Sequence, residues 1–364
     1  MTAGDDIDYK PSFPEDYRPG IGIVGCGGIV RSSHLPSYTR YGQRVVGVYD
    51  VRPEATAGIR EEYGVEVFVD LAELLRHPDV EIVDVATHPD VRPALIREAL
   101  AAGKHVLAQK PLAEDLHTAG QLVDEAEQLG LRLAVNQNGR WAPAWRVATL
   151  LVEQGAVGDV IAVTHLYDHH YGFTLGTVFD RIEHLVLYDY SVHWFDITRC
   201  WLEGKTATGV RAREYRIPNQ PRESTAPWGA WATIEYEDGS SAFIRGIGGA
   251  ATTRPNKPFW IHGAEGTIRG RVLGSGNTPG SEFVELERGG TRTRFELDGT
   301  WNSQGFAGTL CELECAIAEG REPYNSARHN LLSLELTLAA CRSAEEDGHP
   351  VPIGIAETMR VGTR

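Results

Sequence analysis

The sequence predicts an α/β protein in two parts: a doubly wound parallel sheet, then an α+β domain built on a large, mostly antiparallel open sheet. Three observations carry this reading. A short apolar run, Ile21 to Val24, stops at glycines and restarts as a helical pattern. Apolar strands then alternate with amphipathic helices as far as residue 139, as a parallel sheet covered on both faces requires. After Arg140 the rhythm changes to β-branched and aromatic runs separated by turn signals such as Glu237-Asp238-Gly239 and Arg288-Gly289-Gly290.

Residues 1–19 are acidic, with Pro11, Pro14 and Pro19 breaking any helix, and read as a tail. Strands follow at 20–25, 44–50, 65–69, 80–86, 104–108 and 131–135, with helices between them at 28–40, 53–63, 71–76, 91–102 and 113–129. These define a first domain over 20–139. The second, 140–352, opens on helices at 141–154 and 189–203. Its strands fall at 158–168, 206–216, 228–236, 240–247, 258–263, 266–273, 282–288 and 292–297. Closing helices at 305–319 and 326–347 precede a second tail, 353–364. A substrate is expected in the crevice beside the strand ends of the first domain.

At 364 residues the chain is long for a single core, which agrees with two domains. Fifty acidic against 35 basic residues leave a net charge of −15, which argues against nucleic acid or an anionic membrane as partner. With no apolar run of membrane-spanning length and no signal-like N-terminus, the expected location is cytoplasmic. Cys26, Cys200, Cys311, Cys315 and Cys341 are odd in number and read as buried free thiols.

Three stretches carry chemistry. In Gly25-Cys26-Gly27-Gly28-Ile29-Val30, glycines permit a sharp turn and close backbone approach, and the following helix start attracts negative charge. Asp50 ends the second strand 25 residues after Gly25, near the spacing at which a carboxylate takes ribose hydroxyls. Together they suit a dinucleotide, the alternative being an ordinary strand-to-helix turn. The second stretch, Gly103 to Pro111, ends a strand in Gln109-Lys110-Pro111, where Lys110 either points into the crevice or is solvated. In the third, Asp189 and His193 lie four apart in a helical pattern. They form either a histidine base oriented by a carboxylate or a self-satisfied surface pair. Asp196, a turn further on, reads as a cap or brace.

Taken in order, the glycine turn with its following Ser-His, then Ala-Gly-Lys-His-Val-Leu-Ala-Gln-Lys-Pro-Leu, then Asn-Gln-Asn-Gly-Arg, then Asp-x-x-x-His-x-x-Asp, resemble the Gfo/Idh/MocA family of sugar and cyclitol oxidoreductases. The closing Ser343 to Val351 is also similar, so the likeness covers residues 20 to about 352. It implies a Rossmann domain for NAD(H) or NADP(H), and a second domain whose open sheet makes homodimers or homotetramers. It further implies that Lys110 touches the nicotinamide ribose and the reacting hydroxyl, that His193 takes the hydroxyl proton, and that Asp189 orients His193 or binds a neighbouring hydroxyl.

Expected cofactor contacts are Gly25, Gly27, Gly28, Ile29 and Val30; Asp50, Val51 and Arg52; Thr87 and His88; Gln109 and Lys110; and Asn138. Asp50 favours NAD, since a carboxylate repels a 2′-phosphate, while Arg52 keeps NADP open. A carbohydrate or cyclitol substrate is expected against Lys110, Asn138, Arg140, Trp141, Tyr167, His169, Asp189 and His193, which mix hydrogen-bonding groups and aromatic faces. Arg140 has a second reading as a brace of the interdomain hinge. Asp168, His169, His170, Glu183 and His184 include metal-ligand types without a diagnostic spacing, and no metal is expected. Two positions depart from the family pattern: Gln109 stands where a glutamate is usual, and Val30 where a small residue is. The readings are an NAD(P)-dependent dehydrogenase, a lyase or glycosidase with transient sugar oxidation, and a non-catalytic sensor.

Overall fold

The computed structural model describes residues 7–249, 256–273 and 282–354; of the sequence-predicted tails, 1–19 and 353–364, the parts 1–6 and 355–364 lie outside the described residues. The described chain forms two compact units. One comprises Lys10–Trp141 with Trp301–Leu331, and the other the described parts of 142–300 and 332–354 with residues 7–9.

In the first unit, β1 (Gly20–Val24), β2 (Val45–Tyr49), β3 (Glu66–Val67), β4 (Val80–Val85), β5 (His105–Gln109) and β6 (Leu133–Asn136) pair in parallel in the order β3-β2-β1-β4-β5-β6. The order reverses between β1 and β4, so the ligand-binding position of such a sheet lies outside the carboxyl ends of these strands. Helices α1 (Leu35–Arg40), α2 (Ile59–Tyr63), α3 (Leu71–Arg76), α4 (Arg92–Ala101) and α5 (Leu116–Gln128) connect them. Asp70 and Asp115 cap α3 and α5 by accepting the Ala72 and Thr118 N–H groups. Ile21, Ile23, Val48, Ile82 and Leu107 are fully buried from successive strands, each side chain contributing about 1.5–3 kcal/mol of apolar burial.

Two helices differ from the sequence prediction. The helix expected at 53–63 splits into a 3-10 turn, Pro53–Thr56, and α2, because Gly58 between them is left-handed at φ 77°. The helix expected at 28–40 contains a π turn at Val30–His34, in which the Leu35 N–H donates to Val30 O, five residues back. Pro36 has no N–H with which to continue an ordinary helical ladder through this point. The widened turn accommodates Val30 fully buried in the core, so its bulk is absorbed by packing.

The second unit holds a nine-stranded sheet. It contains α6 (Pro143–Glu153), β7 (Val160–His169), α7 (Val192–Trp201), β8 (Ala207–Tyr215), β9 (Gly229–Tyr236), β10 (Ser241–Gly248), β11 (Lys257–Gly263), β12 (Gly266–Val272), β13 (Phe283–Arg288) and β14 (Thr291–Phe295). With β15 (Val351–Pro352) the order is β14-β13-β12-β11-β7-β10-β9-β8-β15, antiparallel except for the β7–β10 pair. Trp145 of α6 and Trp201 of α7 pack edge to face over the buried side, their centroids 6.4 Å apart.

The sequence places both closing helices in the second domain, but α8 (Phe306–Glu319) and the start of α9 (Ala327–Glu345) belong to the compact unit of residues 10–141. Close packing explains it. A Cβ on Gly308 would lie 2.1 Å from Trp141 Cγ, so only glycine lets α8 lie against that indole. Residues 7–19 contain no helix, and Phe13 packs on Tyr41 with ring centroids 5.9 Å apart.

Candidate active site

The cofactor candidates of the first unit fall where strands of its parallel sheet end. Gly25 follows β1 with φ 95°, and a Cβ there would sit 2.8 Å from Ala86 O. Its glycine is required by conformation and by the neighbouring strand together. Gly27 and Gly28 differ, since no heavy atom lies within 4 Å of a Cβ built on either. That open cradle, just before the helical turn, fits a pyrophosphate.

Asp50 follows β2 and folds back onto the glycine turn. Its two oxygens accept the Cys26 N–H at 2.8 Å and the Arg52 N–H at 2.9 Å, and Arg52 Nε approaches at 3.4 Å. Burial by itself would raise this carboxyl, but these donors and the Arg52 charge outweigh it and hold the group below the usual range. A carboxylate has about four lone-pair sites, so Asp50 can brace the turn and still accept ribose hydroxyls. Val51 is 80 % exposed and Ile29 41 %, apolar surface beside the cradle. Thr87 and His88 follow β4, and Thr87 Oγ1 is out of solvent with no hydrogen-bond partner among the described residues. An orphaned hydroxyl at a strand end is a further fit to a polar ligand.

Lys110, partly exposed, follows β5 directly. Its backbone N–H donates to Gln109 Oε1 at 2.9 Å, and Gln109 Nε2 lies 3.0 Å from His34 Nε2. His34 Nδ1 in turn lies 2.6 Å from Asp84 Oδ2, which also accepts the Tyr38 hydroxyl at 2.7 Å. Nearby, the Arg92 guanidinium, 2 % exposed at the start of α4, donates to the carbonyls of Thr87 and Pro111. The sequence does not single out Arg92, Asp84 or Tyr38, and it shows His34 only as part of a motif; a buried polar contact across 50 residues has no local signature.

Asn138, Arg140 and Trp141, which the sequence expects to line a sugar, are all buried. Asn138 Oδ1 accepts the Trp301 indole N–H at 2.6 Å and its amide donates to Asn136 O at 3.5 Å. Arg140 donates to Tyr324 O at 2.6 Å with its guanidinium 4.9 Å from that ring's centroid. These contacts brace residues 301–331 against the end of β6 within one unit, whereas the second reading of Arg140 is a brace between the two domains.

In the second unit, Asp189 lies in a π turn, Leu185–Tyr190, and His193 lies in the first turn of α7. The expectation of one regular helix is corrected, because the turn before Ser191 is wider than an α-turn and the i,i+4 spacing does not run through it. Asp189, Tyr190 and His193 nevertheless keep partial exposure between buried runs on either side. Asp196 is a brace, as expected: it is 1 % exposed and accepts Ser333 Oγ at 2.7 Å, while Arg199 Nε donates to Ser333 Oγ at 3.1 Å.

Tyr167, also expected on the substrate side, is fully buried. It stacks on Trp194 at 4.0 Å, with its hydroxyl 2.8 Å from Ser191 Oγ and 3.3 Å from Val186 O. It pins the π turn instead of facing a ligand. His169 keeps partial exposure and shares an aromatic cluster with Tyr171, Phe173 and Tyr190, at centroid distances of 5.1, 6.0 and 4.9 Å. Burial first, then the charge of Lys257, lowers its imidazole to about 3, so it stays neutral. Lys257 itself, missed by the sequence reading, is depressed to about 8 by burial and lies 5.9 Å from the Trp194 ring centroid.

Asp168 pairs with Arg245, and His184 with Glu214 and Glu345. Among the described residues no group of three or more His, Cys, Asp or Glu side chains is arranged to hold a metal ion. No described helix is long and apolar enough to cross a membrane, and all five cysteines are free.

Residues 20–137 match the model of an oxidoreductase family with an NAD-binding Rossmann fold, and residues 145–269 match the GFO/IDH/MocA C-terminal domain. The chain is 26% identical over 340 residues to D-apiose dehydrogenase of Paraburkholderia graminis, covering 89% of this chain and 87% of that protein. It is 27% identical over 332 residues to 1,5-anhydro-D-fructose reductase of Ensifer adhaerens, covering 89% and 95%. An inositol 2-dehydrogenase of Rubrobacter xylanophilus is 33% identical over 144 residues, 39% of this chain and 41% of that one. Among solved structures, an oxidoreductase from Agrobacterium radiobacter in complex with NAD+, L-tartaric acid and magnesium superposes with a TM-score of 0.80 at 21% identity, covering 93% of this chain and 99% of that one. An aldose-aldose oxidoreductase from Caulobacter crescentus complexed with glycerol gives 0.78 at 21%, covering 92% and 100%. The two family models match consecutive parts of the chain, the first of them on the strand-end glycines and carboxylate described above, and the chain belongs to the Gfo/Idh/MocA family of oxidoreductases with an NAD-binding Rossmann domain.

Proposed function

We propose that this protein is a dehydrogenase that transfers hydride between NAD and a hydroxyl-bearing carbon of a carbohydrate or cyclitol. The observation that carries the proposal is the row of strand ends in the first unit, where the open Gly27–Gly28 cradle, the Asp50 carboxylate and Lys110 follow β1, β2 and β5. The relatives named as dehydrogenases or reductases of apiose, anhydrofructose and inositol support the substrate class. Asp50 supports NAD over NADP, since its carboxylate would face a 2′-phosphate; Arg52 leans onto that carboxylate.

Bound NAD+ supplies the hydride acceptor. Backbone groups of Gly27 and Gly28 would receive its pyrophosphate, and Asp50 its adenosine ribose. On the substrate side, His193 takes the proton of the reacting hydroxyl as the carbon of that hydroxyl gives up hydride and becomes a carbonyl. By the family motif, the Lys110 ammonium is assigned to the reacting hydroxyl, where it would stabilise the negative charge that builds on the oxygen. Asp189 orients His193 or holds an adjacent hydroxyl, and the neutral His169 with Tyr190 offers an aromatic face and a hydrogen-bonding edge to a sugar.

The same reading extends to assembly. One face of the nine-stranded sheet carries half-buried Trp231, Phe243, Ile247 and Trp260, whereas Ala232, Ile234, Ile244 and Ile261 are buried on the other. A second copy of the chain on that face would make a homodimer or homotetramer, which light scattering tests directly. The free thiols support a reducing, cytoplasmic setting.

The deciding experiment follows nicotinamide absorbance while the protein, with NAD+ and separately NADP+, meets a panel of aldoses, inositols and glycosides. Catalytic reduction with NAD+ and one polyol, lost in His193→Ala and Lys110→Met, is the expected result. Turnover of a glycoside without net reduction would replace this proposal by transient oxidation within another reaction.

A further inference from the structure

We infer that Asp84, His34 and Gln109 form a one-way chain of hydrogen bonds that positions Lys110, with His34 fixed as its Nδ1–H tautomer. The inference rests on Lys110 being the hydroxyl-binding lysine; the direction of the chain does not.

The direction is set from the backbone. A peptide N–H can only donate, so the atom of the Gln109 amide 2.9 Å from the Lys110 N–H is the oxygen. This fixes the amide against a flip, and its nitrogen therefore faces His34 Nε2 at 3.0 Å. An amide nitrogen only donates, so Nε2 must offer a lone pair and the ring proton resides on Nδ1, 2.6 Å from Asp84 Oδ2. The Tyr38 hydroxyl donates to the same carboxylate oxygen at 2.7 Å. Every link runs the same way, and reversing any one sets two acceptors or two donors against each other.

Burial makes such a mismatch costly. His34 and Asp84 are 0 % exposed and Gln109 6 %, with the Phe306 ring 4.6 Å from the imidazole on the remaining side. The groups facing His34 are thus Asp84 from β4, Tyr38 from α1, Gln109 from β5 and the apolar Phe306 from α8. His34 ends the π turn that follows the glycine cradle, and Gln109 immediately precedes Lys110. The chain therefore ties the pyrophosphate turn to the lysine loop, and Asp84, His34 and Gln109 act as positioning residues.

A carboxylate at position 109 does not fit the chain while the His34 proton resides on Nδ1 alone, since it would oppose the Nε2 lone pair. In Gln109→Glu, His34 must take a second proton or exchange tautomer. A compensating change exists: in Asp84→Asn the amide can donate to Nδ1 and to the Tyr38 oxygen, so that Nε2–H donates to the carboxylate introduced at position 109 and the whole chain runs in reverse.

The test reads the His34 tautomer in the full-length ¹⁵N-labelled protein by two-bond ¹H–¹⁵N correlation, its signals identified by their loss in His34→Gln. Wild type at pH 7 is expected to carry the proton on Nδ1; a proton on Nε2 alone, or on both nitrogens, overturns the inference without any variant having to fold. In parallel, NADH affinity is followed by fluorescence. Gln109→Glu is expected to weaken it about tenfold, the scale of one hydrogen bond lost. Asp84→Asn/Gln109→Glu is expected to return to within about twofold of wild type with the proton on Nε2. Wild-type affinity in Gln109→Glu, or a double variant no better than the single one, refutes positioning. Lys110→Met is the separate control: if it binds NADH and turns over substrate as wild type does, the reading of Lys110 fails while the tautomer result stands.

Discussion

One methyl group placed at two neighbouring glycines separates what the glycine turn does for folding from what it does for the cofactor. Gly25→Ala must hold φ 95° with a Cβ 2.8 Å from Ala86 O. The left-handed conformation costs about 1–2 kcal/mol for a residue with a Cβ, and the close contact adds to it. At roughly 2–4 °C per kcal/mol for units of this size, the melting temperature is expected to fall by about 4–10 °C. Gly27→Ala meets nothing within 4 Å. Its folding effect is expected within about 0.5 kcal/mol of zero, with reduced freedom of the unfolded chain acting in its favour. Its methyl enters the space assigned to the pyrophosphate, and displacing one charged hydrogen bond costs about 1.5–3 kcal/mol, or roughly ten- to 150-fold in NADH affinity. Thermal melting and NADH fluorescence on the two variants give a crossed pattern. If Gly27→Ala binds NADH like wild type, the cradle is not the phosphate site; if it melts as low as Gly25→Ala, the steric reasoning is wrong.

Three further outcomes are expected. His184, held by Glu214 at 2.6 Å and Glu345 at 3.1 Å, is raised to about 9, with the Glu214 hydrogen bond the main cause. Its folded-state value exceeds the unfolded one of about 6.5, so its contribution is complete below that pH and is lost as pH rises through about 9. The urea stability difference between wild type and His184→Gln should shrink across that window, and a difference that stays flat would contradict the assignment. Asp196→Ala leaves the buried Ser333 hydroxyl, which also accepts from Arg199, without its carboxylate acceptor and should cost about 1–3 kcal/mol in denaturant titrations, whereas a loss under about 0.5 kcal/mol would show the brace to be dispensable. Asp50→Asn removes the charge set against a 2′-phosphate while an oxygen remains for the Cys26 N–H. The ratio of NADP to NAD affinity should rise about tenfold or more, and an unchanged ratio would assign cofactor choice elsewhere.

What the sequence determined by itself is what local pattern encodes. Strands ending in Gly25, Asp50 and Lys110 were legible because apolar runs, turn residues and spacing are properties of neighbours along the chain, and the alternation of strand and helix dictates a parallel sheet with its ligand edge at those ends. The four motifs, read in order, were sufficient for the family. What only the tertiary structure decided depends on groups far apart in sequence. Asn138, Arg140 and Trp141 have the composition of a sugar pocket, yet α8 and Tyr324, nearly two hundred residues on, bury them. Tyr167 stands in the strand leaving toward His169, but pairing with Ser191 and Trp194 turns it inward. No periodicity announces Lys257 beside Trp194, Arg92 across two strand ends, or the chain from Asp84 through His34 to Gln109. Side-chain chemistry at a strand end is local information. Whether that side chain faces a ligand or a buried partner is settled by which distant element packs against it, because a buried polar group must find its partner wherever the fold brings one.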